Sequence, residues 1–218
     1  MLPAVPYSIR RSDRARRVRV SVDAERGVEV VLPRRAPERA AAEAVAQLEN
    51  WIVRRVAEAE RSRARVAARG DRVPYLGSHL HLVAEPGRTR VTRRGDALHV
   101  PARAPGPALE RWYRRAARAE IAPRLDVACA AVGRPHTALT IRGQRTRWAS
   151  CAASGAMSFN WRLLLAPAPV LDYVVWHEAC HLAHADHSPR FWALVAAHCP
   201  DHRAHSRWLR AHGPELVL

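Results

Sequence analysis

The sequence predicts an α+β fold in two lobes: a mixed strand and helix lobe over residues 1–105, packed on a second lobe over 106–218 built on an antiparallel hairpin and a buried helix. Three observations carry this expectation. Short segments within residues 17–32 and 73–100 alternate apolar and polar side chains at period two. Longer segments at 38–65 and 108–132 repeat their apolar residues at helical spacing. Between the halves, Pro101 to Pro107 is rich in Pro and Ala and reads as a linker.

Arg17 to Val22 and Val28 to Leu32 form the first strand pair, an antiparallel hairpin turning at Asp23-Ala24-Glu25-Arg26-Gly27 and closed by Pro33 and Pro37. Glu38 to about Arg65 reads as one amphipathic helix that turns Trp51 and Ile52 inward. Val73 to Gly77, His79 to Val83, Thr89 to Val91 and Ala97 to Val100 read as short strands between glycine-containing turns. Ala108 to Val132 is a long helix stopped by Gly133, and Thr137 to Arg142 is a strand. Thr146 to Cys151 and Ala156 to Leu164 pair as a hairpin around Ala152-Ala153-Ser154-Gly155. After Pro167 and Pro169, Val170 to Ala183 is apolar almost all round, which requires a buried helix. Helices near Pro189 to His198 and His205 to His212 complete the chain.

At 218 residues and 48% hydrophobic composition, the chain can bury a real core as one domain or two small ones. No apolar run reaches membrane-spanning length and Met1 to Tyr7 is no signal segment, so a cytoplasmic protein with no membrane partner is expected. Cys129, Cys151, Cys180 and Cys199 show no CxxC spacing and read as free thiols. The formal charge of +16 comes entirely from arginine, with no lysine, and reads first as a compositional bias. Binding of a nucleotide or nucleic acid through the Arg-rich surface stays as a secondary expectation.

Chemistry concentrates in the buried helix, at His177-Glu178-Ala179-Cys180-His181. Residues four apart lie one above the other on a helix, so both imidazoles can reach one metal ion. Glu178, on the adjoining face, can activate a water at the ion's open position. Unpaired buried imidazoles would be costly, and a metal satisfies them. A third ligand lies just beyond, where His184 and His187 both offer themselves. The His177-Glu178-x-x-His181-x-x-x-x-x-His187 spacing favours His187, with Asp186 suited to a left-handed turn and His184 free or supporting. Three imidazoles suit zinc. Arg145 and Arg147 are candidates for gripping an oxyanion or phosphate, whereas Trp148, Trp161, Trp176, Phe191 and Trp192 read as core.

From Arg147-Trp148-Ala149-Ser150-Cys151 onward, through Ser158-Phe159-Asn160-Trp161-Arg162-Leu163, Asp172-Tyr173-Val174-Val175, His177 to Leu182, His187-Ser188 and Phe191-Trp192, the sequence resembles the YgjP-like metallopeptidases, relatives of the SprT-like zinc proteases. The resemblance reaches back through Arg10-Arg11-Ser12 and Tyr75-Leu76-Gly77, covering nearly the whole chain. Ala149 stands where the family usually shows Gly, and Asp186 where it usually shows Asn. The resemblance implies a zincin-like second lobe, zinc held by His177, His181 and His187, and Glu178 as general base acting on a peptide or protein substrate. It also admits a nucleotide pyrophosphohydrolase of the UTP type at the same centre. A nucleic-acid-associated module with structural zinc is the rival from another class; it requires a closed four-ligand site, with His184 added.

Overall fold

The computed structural model describes residues 5–23, 27–144 and 146–218, and its contacts divide the chain between Ala68 and Arg69. The architecture is mixed α+β: among the described residues there are six α-helices and three small sheets.

In the first unit, β1 (Tyr7–Ser12), β2 (Arg19–Asp23) and β3 (Gly27–Pro33) form a sheet in the order β1-β3-β2. The β2/β3 pair is the expected antiparallel hairpin, although residues 24–26 of its turn lie outside the described residues. Strand β1 was not expected; it runs parallel to β3 and makes β3 the central strand. On this central strand Val30, Val31 and Leu32 are all three buried, the pattern of a strand covered on both faces. The single helix expected from Glu38 is two, α1 (Arg39–Gln47) and α2 (Glu49–Ala67), broken at Leu48 with φ −103° and ψ 8°. No glycine or proline marks the break. Ile52 is fully buried as expected, while Trp51 is half-buried beneath the Arg55 guanidinium. Val30, Leu32 and Ala41 form this unit's small core.

The second unit opens with β4 (Arg72–Tyr75), β5 (Ser78–Glu85), β6 (Thr92–Arg94) and β7 (Ala97–Pro101), ordered β4-β5-β7-β6. Leu76 and Gly77, expected at the end of a strand, form the two-residue turn of the β4/β5 hairpin, with φ of 50° and 93°. The strand expected at 89–91 lies instead at Thr92–Arg94. Helix α3 (Pro105–Val132) begins inside the expected linker, with Pro at its first turn, and ends at Gly133 in the left-handed conformation. The lobe boundary expected at residue 105 therefore falls within this unit. Its physical reason is a shared core: Leu80, Leu98 and Val100 of the sheet belong to one apolar cluster with Leu109, Tyr113 and Leu125 of α3. Polar ties reinforce it, Tyr113 donating to the Pro74 carbonyl (2.7 Å) and Tyr75 to Glu120 (3.0 Å).

Strands β8 (Ala138–Arg142), β9 (Ala149–Cys151) and β10 (Ala156–Asn160) make the third sheet, with β10 central, antiparallel to β9 and parallel to β8. The expected hairpin is present but shorter. At Asn160 the chain leaves the sheet, and the Asn160 side chain accepts the Arg162 N–H to cap a 3-10 turn over Trp161–Leu165. Helix α4 (Ala168–Cys180) follows, buried through Val170, Leu171, Val174, Val175 and Ala179, then α5 (Pro189–His198) and α6 (His202–His212). Among the described residues no helix is long and apolar enough to cross a membrane.

Phe159, fully buried on central β10, belongs to the same apolar cluster as α4. Phe159→Ala is expected to cost about 3–5 kcal/mol, read by urea denaturation, because ring burial is lost and a cavity remains. A loss below about 1 kcal/mol would show that this sheet does not depend on that core.

Candidate metal centre

Helix α4 carries His177 and Glu178 in its last turn, and its end brings His181 to the same side. After Cys180 the chain tightens, with the N–H groups of His181, Leu182 and Ala183 each bonding three residues back. The helix thus stops earlier than the Ala183 expected from sequence. Asp186 is not left-handed; its Oδ1 accepts the Ser188 N–H (3.2 Å), and its ionised form is favoured by the Ser188 hydroxyl and N–H. Ser188 in turn accepts the Phe191 N–H at 3.5 Å and caps α5, so the turn bearing His187 is joined to the next helix.

The result is a convergence of three imidazoles. One ring nitrogen from each of His177, His181 and His187 lies within 4.8 Å of the other two. The Nε2 atoms of His177 and His187 are 3.2 Å apart. The His181 ring plane stands at 84° to that of His177 and 87° to that of His187, while the latter two are inclined by 35°. His181 Nδ1 lies 3.0 Å from the His184 carbonyl oxygen, so it carries the proton and donates, leaving Nε2 as a lone pair. His177 Nδ1 is buried without a hydrogen-bond partner among the described residues.

Burial depresses the His177 pKa to about 4, helped by the neighbouring His181 and His187. Burial also lowers that of His181, against the opposing pull of the His184 carbonyl. Both rings are therefore neutral at pH 7, with lone pairs available to a cation.

Glu178 is buried at 7% exposure, and burial pushes its carboxyl up to about 7, partly offset by a hydrogen bond from the Cys151 backbone. That amide sits on β9, so the edge strand touches the carboxylate directly. Burial pushes the Cys151 thiol up to about 11, with the Glu178 charge adding to it, and burial alone takes Cys180 to about 11. Neither is a thiolate at neutral pH, and all four cysteines are free.

His177, His181 and His187 are thus brought together, with Glu178 buried beside His177 in the chain. The His184 ring does not join the cluster, and only its backbone carbonyl takes part. Arg145 lies outside the described residues. Arg147 is exposed two residues before β9, its carbonyl held by Asn160 Nδ2 at 3.3 Å. Sequence reasoning missed the Cys151 amide, which no side-chain pattern signals, and the placement of Phe191, whose ring touches all three imidazoles.

A family model described as YgjP-like, metallopeptidase domain, matches residues 16–212. No curated protein and no solved structure matches the chain.

Proposed function

The chain belongs to the YgjP-like metallopeptidase family, and on that premise we propose that it is a zinc-dependent peptidase in which His177, His181 and His187 hold the metal and Glu178 is the general base. The single observation that carries this reading is the convergence of three imidazole nitrogens within 4.8 Å of one another, two of them from α4 and its C-terminal end, with a buried carboxylate next to His177 on that helix.

The donor set fits zinc. Three imidazoles suit a borderline-soft cation better than magnesium or calcium, which take oxygen. Ligand nitrogens about 2.0–2.1 Å from a tetrahedral ion stand roughly 3.3–3.4 Å from each other. The 3.2 Å between the Nε2 atoms of His177 and His187 is close to that figure. Two facing nitrogens at this distance repel unless a proton or a cation lies between them. With His184 outside the cluster, three protein ligands leave a fourth position open, which favours a catalytic over a closed structural site.

Zinc, when bound, supplies a Lewis acid that polarises the scissile carbonyl and acidifies water. The protein does the rest. A Glu178 carboxylate oxygen takes a proton from the attacking water as its oxygen bonds to the carbonyl carbon, then delivers that proton to the departing amine nitrogen as the C–N bond breaks. The Cys151 N–H, bonded to the carboxylate, keeps that group aimed.

Edge strand β9 supports a peptide as substrate. Bonds from Ala152 N to the Ala156 carbonyl and from Asn160 N to the Trp148 carbonyl set the hydrogen-bonding pairs with β10. By alternation the N–H groups of Ala149 and Cys151 point away from β10. Cys151 meets Glu178, which leaves Ala149 to pair with an extended chain beside the base. The test offers the zinc-loaded protein a mixed peptide library and, separately, free nucleoside triphosphates. Peptide cleavage is expected, lost on chelation. Pyrophosphate release with intact peptides would replace this proposal with the nucleotide reading.

A further inference from the structure

Phe191 is fully buried at the start of α5, and among the described residues no other aromatic ring meets all three imidazoles. It stacks on His181 at 4.4 Å and 24° between planes. It stands edge-on to His177 at 5.0 Å and 78°, and to His187 at 4.9 Å and 69°. Trp192 beside it reaches only His177 and His187, at 5.7 and 5.6 Å.

We infer that Phe191 is the positioning residue of the triad, one rigid ring whose face and edges set the orientation of three imidazoles arriving from α4, from its terminal turn and from the turn before α5. The need for it follows from the hydrogen bonds. A metal-binding histidine is ordinarily oriented by a partner on its second ring nitrogen, which fixes both tautomer and torsion. Among the described residues only His181 has one, the His184 carbonyl. Among the described residues His177 Nδ1 has no partner, and the His187 ring bonds only to His177. For those two rings, packing stands in for the missing polar tether.

The same turn fixes Phe191 itself. Ser188 accepts the Phe191 N–H, and Asp186 accepts the Ser188 N–H, so His187 and the ring that orients it share one capped segment. Aromatic pairs prefer edge-to-face and offset-stacked arrangements with centroids about 4.5–7 Å apart, so rotating any imidazole out of place gives up a favourable contact. An aliphatic residue of similar size fills the space without that angular preference.

Phe191 can act this way only if the triad holds a metal, as proposed above, so the experiment reads both. The wild type and the variants Phe191→Leu, Phe191→Met and Val195→Ala are compared at a temperature where circular dichroism shows each folded. Val195, fully buried one turn further along α5, is the control for a softened helix. Zinc affinity is measured by competition with a chromogenic chelator, and ligand geometry by the visible absorption of the cobalt(II) form. Phe191→Leu and Phe191→Met are expected to lose affinity on the order of 10–100-fold, as orienting partners of metal ligands do, and to show weakened, shifted cobalt bands. Val195→Ala should keep wild-type affinity and bands. A folded Phe191 variant with wild-type affinity and spectrum overturns the proposal, as does an equal loss in Val195→Ala. A wild type that binds no stoichiometric metal is a different failure: it removes the metal centre itself, and the role of Phe191 with it.

Discussion

Replacing Glu178 with Gln is expected to lower peptide turnover by about 10²–10⁴-fold while zinc content and fold stay unchanged, because proton transfer by a positioned base contributes on that scale. The amide matches the carboxylate in shape, and its oxygen can still accept the Cys151 N–H. What it cannot do is take the proton of the attacking water. Because the side chain is buried, a neutral replacement adds no unpaired charge to the interior. Turnover and metal content should be measured on the same preparation. Near-normal turnover by a zinc-loaded Glu178→Gln protein would sink the general-base assignment, whereas lost zinc would mean that Glu178 had been a ligand.

His187→Ala and His184→Ala should differ sharply in metal affinity. The first removes one of three converging nitrogens and should cost more than the roughly 10–100-fold seen when an outer partner is lost. The second leaves the His184 carbonyl, the atom that orients His181, in place. Its loss should stay within about tenfold, below the outer-partner range. Chelator competition on both variants checks this. Equal losses would indicate four histidine ligands and a closed site, and the catalytic reading would give way to a structural zinc module.

Sequence periodicity revealed those elements whose burial is one-sided or complete. The alternation in Val28 to Leu32 marked a strand, and the almost wholly apolar surface of Val170 to Ala183 marked a buried helix. The HExxH spacing located His177 and His181, two of the three clustered imidazoles, because helical geometry alone stacks residues four apart. His187 needed more, since its position depends on a turn held by Asp186 and Ser188. The left-handed conformation that Asp186 could tolerate is not used, because its side chain accepts the Ser188 N–H within that turn.

Other features were set by long-range pairing that no local window contains. Strand β1 is exposed along most of its length and pairs with β3 about twenty residues on, beyond the reach of any local pattern. The expected boundary at residue 105 followed composition: Pro and Ala suggested a linker, yet Pro105 is a helix start and the preceding sheet shares its core with that helix. Phe191 reads as core from sequence and is core, but its neighbours are ligand candidates. Nothing in an apolar residue's local pattern says which side chains it will touch.

The most direct test of the central claim is zinc analysis of the purified chain combined with X-ray absorption at the zinc edge. About one zinc per chain is expected, with three imidazole nitrogens and one oxygen near 2.0–2.1 Å, the shell of an open catalytic site. Absence of any stoichiometric transition metal, or a shell of four protein ligands with no oxygen, would contradict it.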